Sequence, residues 1–126
     1  MLDFEFAAPD SLSTALKLLS EHAGAARPLA GGTDLIDYVR TGRLAAQMLV
    51  DVKRIPELRV LQVEGQALRL GAAVTCCEVY EHAEVRRLFP ALIDATSIIG
   101  GIQIQSRASV GGNLCTSGPA ADSTPL

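Results

Sequence analysis

No stretch of this chain approaches the roughly 18 consecutive apolar residues that would span a bilayer, so a membrane span is excluded. There is no stripe of one charge either. The net charge is −3, and basic residues such as Lys17, Arg40, Arg43, Lys53, Arg54, Arg86 and Arg87 are scattered. Nothing follows a phosphate backbone, and nucleic acid is not an expected partner. The opening Met1-Leu2-Asp3-Phe4-Glu5-Phe6 lacks a basic segment followed by an apolar core. No signal peptide is expected, and a cytoplasmic location is the default. Cysteine is scarce and badly spaced for chemistry: Cys76, Cys77 and Cys115 make neither a zinc knuckle nor a CxxC pair. All three are expected to be packing residues, with no metal site. Two nucleotide-binding signatures are also missing. Gly31-Gly32-Thr33 lacks the Gly-Lys-Ser/Thr ending of a P-loop, and the G-x-G-x-x-G spacing of a Rossmann turn is absent.

What is present is enough for one core. The 126 residues are 48% hydrophobic and only 20% charged, at the upper end of globular composition. That apolarity suggests surface reserved for a partner or for further chain.

Two glycine-centred segments stand out, Leu29-Ala30-Gly31-Gly32-Thr33-Asp34-Leu35-Ile36 and Ser109-Val110-Gly111-Gly112-Asn113, the second followed by Pro119-Ala120-Ala121-Asp122. Each sets backbone-permissive residues beside hydroxyl and amide groups. That composition suits a diphosphate approaching main-chain N–H groups closely. Taken singly, Gly31-Gly32 reads more readily as a strand-to-helix turn and Gly111-Gly112 as a bulge or hairpin; it is their combination that points to a ligand. If Gly32 serves a phosphate, Gly32→Val should harm binding more than folding.

The pattern around these segments predicts the elements. Phe4 and Phe6 alternate with acidic residues as in a short strand, and Pro9-Asp10-Ser11 opens a helix over about Ser11 to Ala23, stopped by Gly24. Arg27-Pro28-Leu29-Ala30 reads as a strand feeding the first glycine pair, after which Thr33 or Asp34 caps a helix through Leu35, Ile36 and Val39. Met48-Leu49-Val50-Asp51-Val52 is a buried parallel-type strand by its continuous apolar content. Val60 to Leu70 around Gly65-Gln66 reads as a hairpin. Thr75-Cys76-Cys77-Glu78 has capping-box spacing for a helix to about His82, and a further helix follows Pro90. Ile102 and Ile104 alternate with polar residues, predicting a strand into the second glycine segment, itself read as a loop. His22 and His82 fall near helix ends, where imidazolium suits the dipole. Asp51 reads as the end of a strand.

The first glycine segment, Val50-Asp51-Val52-Lys53-Arg54-Ile55-Pro56-Glu57-Leu58, Leu70-Gly71-Ala72-Ala73-Val74-Thr75, and Ser109 through Asn113-Leu114 to Asp122 together closely resemble the FAD-binding medium subunit of molybdenum hydroxylases. This is the xanthine dehydrogenase and carbon monoxide dehydrogenase medium-subunit family, and the resemblance covers essentially the whole chain in order. It implies an α+β, PCMH-type FAD-binding domain. Residues 1–54 would form a small βαβ subdomain with the diphosphate loop, and 55–126 the first part of a larger antiparallel α+β subdomain. FAD is the implied cofactor. Leu29, Ala30, Gly31, Gly32, Thr33, Asp34, Leu35 and Ile36 would line the diphosphate. Ser109, Val110, Gly111, Gly112 and Asn113 would make a second run of flavin contacts, Asp122 would hydrogen-bond polar groups of the cofactor, and Ile99 would lie against it. Some relatives carry an aromatic residue where Ile99 stands, so stacking is lost there. Many have Thr where Ser109 stands, so the hydroxyl is kept.

The implied activity is oxidoreductase electron transfer within a complex, with no catalytic residue on this chain. An iron–sulfur small subunit would relay electrons from a molybdopterin large subunit through FAD to an external acceptor. Relatives continue for roughly as many residues again, so the chain is expected to be a truncation. Two other readings stay open: an independent vanillyl-alcohol-oxidase-type flavin oxidase, and a non-catalytic fragment that binds partner subunits without FAD.

Overall fold

A computed structural model describes residues 3–118 and 121–123. Pro119, Ala120, Thr124, Pro125 and Leu126 of the motif and terminus quoted above lie outside the described residues. The chain begins with β1 (Glu5–Ala7), α1 (Leu12–Glu21), β2 (Ala26–Leu29), α2 (Leu35–Arg40) and β3 (Met48–Asp51). These strands form one parallel sheet in the order β1-β3-β2, so β3 is central and bonded on both sides.

Its unbroken apolar run follows from that position. Met48 and Val50 face one side with Ala15 of α1, Val52 and Ile55. Leu49 faces the other with Leu29, Val39 of α2 and Ala46. Leu49 and Val50 are fully buried, and each such side chain contributes about 1.5–3 kcal/mol by its removal from water. A strand buried on both faces has no polar side to alternate with. Ser11 starts α1 by accepting a hydrogen bond from the Thr14 amide (3.3 Å).

A 3-10 turn (Pro56–Leu58) leads to the antiparallel hairpin β4 (Leu61–Glu64) and β5 (Ala67–Leu70). Leu61, Val63, Leu68 and Leu70 of the hairpin cover a second core built on Val74, Val79 and Val85. That core belongs to α3 (Cys76–Glu81), α4 (Ala83–Leu88) and α5 (Pro90–Ile98), with Val74 just before α3. The capping box at Thr75 is formed in both directions. Glu78 also holds Arg59 of the hairpin's approach in a bidentate ion pair, and Arg59 donates to the Ala73 carbonyl (2.8 Å). The chain ends in α6 (Ile102–Gln105) and α7 (Val110–Thr116). The mixture of a parallel sheet, a hairpin and helices is the expected α+β class.

Three expectations are corrected. Ile102–Gln105 is a helical turn rather than a strand. Its pattern of alternating Ile and Gln spans only four residues, too few to separate a period of 2 from one of 3.6. Gln105 turns inward there and donates to the carbonyls of Ser97 (2.7 Å) and Gly100 (3.2 Å). The second glycine segment is not a loop but the first turn of α7. His82 is the N-cap of α4, its Nδ1 accepting from the Val85 amide at 3.4 Å. It therefore starts a helix rather than only ending one. His22 ends α1 as expected, its Nδ1 donating to the Leu18 carbonyl (3.1 Å).

Candidate functional site

The two glycine segments, 80 residues apart in sequence, meet at one cleft of about 650 Å³. The first occupies the step from β2 to α2, at the carboxyl end of the parallel strands, where open α/β sheets leave a crevice. Gly32 has φ +77°, a conformation L side chains rarely adopt, and a Cβ there would sit 2.7 Å from Leu29 Cδ1. This helps turn the chain from β2, which ends at Leu29, to α2, which starts at Leu35. A Cβ on Gly31 would run into the carbonyl oxygen of Arg107. Gly31 therefore admits the backbone that leads into α7.

A second close approach is made by Gly111, whose added Cβ would stand 2.6 Å from Ala72 Cα, in the stretch between β5 and α3. Of the four site glycines, Gly112 alone meets no backbone or core atom: its added Cβ would have Ser109 Oγ at 3.1 Å, a close side-chain contact, as its sole near neighbour. Ser109 caps α7, its hydroxyl accepting from the Gly112 amide (3.0 Å), and pairs with Thr75 in an isolated antiparallel bridge. Gly32→Val, expected to harm binding more than folding, would also strain the fold, because the positive φ and the Leu29 contact are properties of the backbone turn itself.

The polar inventory of the cleft is dominated by backbone donors. The amides of Gly31, Gly32, Thr33 and Asp34 donate to no described residue, and neither does that of Gly111 in the first turn of α7. Unpartnered amides on two walls of one cleft are the donor set an anionic group requires. Asp34 stands at the N-cap of α2 yet makes no capping bond. Its Oδ2 instead accepts from Thr116 Oγ1 of α7 (3.3 Å), joining the two segments across 82 positions. Behind the first segment, Asp51 ends β3 and pairs with Lys53 (2.7 Å), whose Nζ also donates to the Ala30 carbonyl (3.1 Å). Burial alone would raise the Asp51 carboxyl, but the hydrogen bonds and charge of Lys53 hold it below the ordinary carboxylate value.

Most of the expected site residues line this cleft. Ala30, Gly31, Gly32, Thr33, Asp34 and Leu35 do so from the first segment, and Ser109, Gly111, Gly112 and Asn113 from the second. Ile99 lies between them, buried with Cys76 and Ala108. Four do not line it. Leu29 packs into the core under α2, Val110 is buried, Ile36 is 42% exposed, and Asp122 is exposed. Asp122 is nevertheless held nearby, since the adjacent Ser123 hydroxyl donates to Asn113 Oδ1 (2.5 Å).

Sequence reasoning missed part of the wall. Leu12 and Leu16 of α1, Tyr38, Thr116 and Cys115 also line the cleft. Cys115 is exposed rather than packed, as is part of Cys77, whose Sγ lies 3.0 Å from Tyr80 Oη. Only Cys76 fits the packing expectation, and there burial, with Cys77 adding to it, pushes the thiol up to about 11. Residues 12 and 16 share a helical face with Ala15, the signal that marked an apolar stripe but not what it borders. No described helix is long and apolar enough to cross a membrane.

Residues 2–126 match the family described as the FAD binding domain in molybdopterin dehydrogenase. Among curated proteins the chain is similar to the nicotinate dehydrogenase FAD-subunit of Eubacterium barkeri, 35% identical over 97% of this chain and 42% of that one. It is 31% identical to the carbon monoxide dehydrogenase medium chain of Hydrogenophaga pseudoflava, over 98% of this chain and 43% of that one. A solved structure of carbon monoxide dehydrogenase from Hydrogenophaga pseudoflava superposes with a TM-score of 0.92 at 30% identity, over 97% of this chain and 42% of the matched chain. The chain therefore spans about two fifths of the length of the relatives it matches.

Proposed function

The chain belongs to the family of FAD-binding domains of molybdopterin dehydrogenases, and from that premise we propose that it is the amino-terminal portion of an FAD-binding electron-transfer subunit of a molybdenum hydroxylase. The observation that carries this reading is the set of unpartnered amides of Gly31 to Asp34 on the wall of the cleft. These residues are half-buried and line the cleft, so their N–H groups are donors left free of the fold's own hydrogen bonds and open to an acceptor. The donor set fits a diphosphate: neutral, directional N–H groups at a helix start, with the Thr33 hydroxyl beside them.

The amide of Gly111 adds a donor from the opposite segment, and the Ser109 cap fixes that turn. Leu35 and Ile99 present apolar surface that excludes water. Asp34, drawn toward Thr116, keeps its carboxylate engaged rather than set against a phosphate. Asp122, outside the cleft wall, is the least supported of the expected contacts. When bound, FAD supplies the redox chemistry, and the chain's own residues bind and orient it. No side chain here is assigned a catalytic role.

In the same reading, residues 1–54 form the diphosphate-binding subdomain and 55–126 begin the second. An iron–sulfur subunit and a molybdopterin subunit are the partners, electrons leave for an external acceptor, and the complex is cytoplasmic. The names of the relatives, a medium chain and an FAD-subunit, support this assembly. The test is to saturate the purified chain with FAD, pass it through gel filtration and record its absorbance. Flavin bands co-eluting at about one FAD per chain are expected, and a folded but colourless protein peak would overturn the reading.

A further inference from the structure

Lys53 lies outside the cleft wall, yet among the described residues it is the only side chain that hydrogen-bonds to the backbone of residues 29–34. Its ammonium donates to the Ala30 carbonyl (3.1 Å) and pairs with Asp51 Oδ1 (2.7 Å). Asp51 Oδ1 also accepts from the Lys53 amide (2.9 Å), which closes a compact ring at the end of β3. The pair is largely shielded, with side-chain exposures of 26% and 14%. Both anchors sit on the rigid part of the fold, since the Val52 amide donates to Leu29 O (3.0 Å) and carries β3 alongside β2 up to the glycine turn.

The consequence comes from the planarity of the peptide. The bond between Ala30 and Gly31 is trans, as are the others described, so the carbonyl of Ala30 and the amide of Gly31 point in opposite directions from one rigid plane. Whatever fixes the carbonyl fixes the amide. Gly31 cannot supply this restraint itself, because a glycine populates both signs of φ with similar ease. The next residue, Gly32, is already at positive φ. On its Gly31 side the Ala30–Gly31 plane therefore turns about a glycine φ, and an external anchor on the Ala30 carbonyl limits that rotation.

We propose that Lys53 is a positioning residue for the diphosphate-binding turn: by holding the Ala30 carbonyl on the Asp51 side, it aims the Gly31 amide away from that side as the first donor of the anion-binding run. Asp51 in turn aims the ammonium, and its negative charge confines Lys53 to the back of the turn. The proposal rests on the FAD-binding reading above and adds a named determinant of its diphosphate affinity.

The full chain as Lys53→Met, which keeps the apolar stem but neither donates nor carries charge, is compared with the wild type and with Lys53→Arg. Affinities are measured by titration for FAD and, in competition, for riboflavin, which has the same ring system and no diphosphate. Lys53→Met is expected to weaken FAD about tenfold, the loss typical of one charge-assisted hydrogen bond, and to leave riboflavin competition unchanged. Lys53→Arg, which can still donate to Ala30 and pair with Asp51, is expected to recover most of that loss. Unchanged FAD affinity in Lys53→Met would overturn the proposal. So would equal weakening of FAD and riboflavin, because a general loss of structure does not distinguish the diphosphate. If Lys53→Met does not fold by circular dichroism, Lys53→Gln, uncharged and one bond short of Ala30, is read by the same FAD-to-riboflavin ratio with the same two outcomes. A wild-type chain that binds no FAD instead overturns the functional reading itself.

Discussion

The two glycine segments have nearly the same composition and use it differently. In the first, Gly32 supplies a left-handed turn and Gly31 a close approach, leaving four successive amides without a described partner. In the second, the glycines lie inside α7, the cap is a serine hydroxyl, and on the cleft wall only the Gly111 amide is left over. One segment is a turn that a helix follows, the other a helix that begins at once. The lesson is that a glycine pair reports a spatial requirement, not a ligand. Gly31 and Gly111 each admit a neighbouring stretch of backbone, so the pairs serve first to bring the walls of the cleft together and only then to expose donors.

The largest effect that would break this comparison is expected from Gly31→Val set beside Gly112→Ala. A side chain at Gly31 meets the Arg107 carbonyl, a backbone atom that no rotamer change can move. A loss of about 3 kcal/mol or more is expected, a large share of a domain's usual margin of roughly 5–15 kcal/mol. Gly112→Ala has open space apart from Ser109 Oγ and lies within a helix. There alanine gains up to about 1 kcal/mol of helix propensity. It should leave the urea midpoint unchanged or raise it while lowering FAD affinity, because the new methyl stands on the cleft wall. Equal destabilisation by the two substitutions would show that both glycines serve packing alone.

A middle-sized difference is expected at the two caps. Ser109→Ala removes a formed capping bond to Gly112 and should cost about 1 kcal/mol. Asp34→Ala removes a residue at an N-cap position that makes no capping bond, and only its long, part-buried hydrogen bond from Thr116 is lost. Its cost should stay below about 0.5 kcal/mol, within the range of ordinary surface substitutions. Urea unfolding of the two variants, compared at equal pH, checks the ordering. A larger cost at Asp34 would mean that the bond to Thr116 holds the cleft walls together more strongly than its 3.3 Å length implies.

How far the sequence discloses this arrangement differs between the regions for physical reasons. The β1 to β3 unit is legible because β3 is buried on both faces and reads as Met48 to Val52 without a break. The first glycine turn is legible because strand, glycine pair and helix follow one another directly. The capping box at Thr75 is local, and so it too is visible. The C-terminal third is harder. α4 is missed because six residues carry too few periods, although His82 before Ala83-Glu84 and Arg86-Arg87 at its end are cap and dipole signals. α6 is misread for the same shortness, and α7 because two adjacent glycines argue against a helix whose Ser109 cap and packing on Ala72 stabilise it anyway. The cleft residues left unseen, Thr116, Tyr38 and Leu16, are placed by contacts between distant segments, which no local pattern encodes.

The smallest effect, and the one that sharpens the comparison most, is the response to acid of the carboxylate behind each segment. Glu78 serves the second, since Thr75, which it caps, bridges Ser109. Burial opposes its charge, but the Thr75 amide and hydroxyl and the Arg59 guanidinium together hold it below its ordinary value of 4.5. Asp51 serves the first segment through Lys53 and lies below its ordinary value of 3.8. A folded-state value below the unfolded one means that the unfolded chain binds protons first as pH falls, so each carboxylate stabilises the fold at higher pH and loses that contribution on acidification. Glu78 starts to lose its share as pH drops through about 4.5, Asp51 only from about 3.8, so the support of the second segment weakens before that of the first. Urea midpoints measured across that acid range should therefore show Glu78→Gln flattening the upper part of the decline and Asp51→Asn the lower part. If Glu78→Gln instead follows the wild-type slope throughout, the capping box and its arginine do not stabilise the charged form, and the second segment must owe its position to the Gly111–Ala72 contact and the Ser109 cap alone.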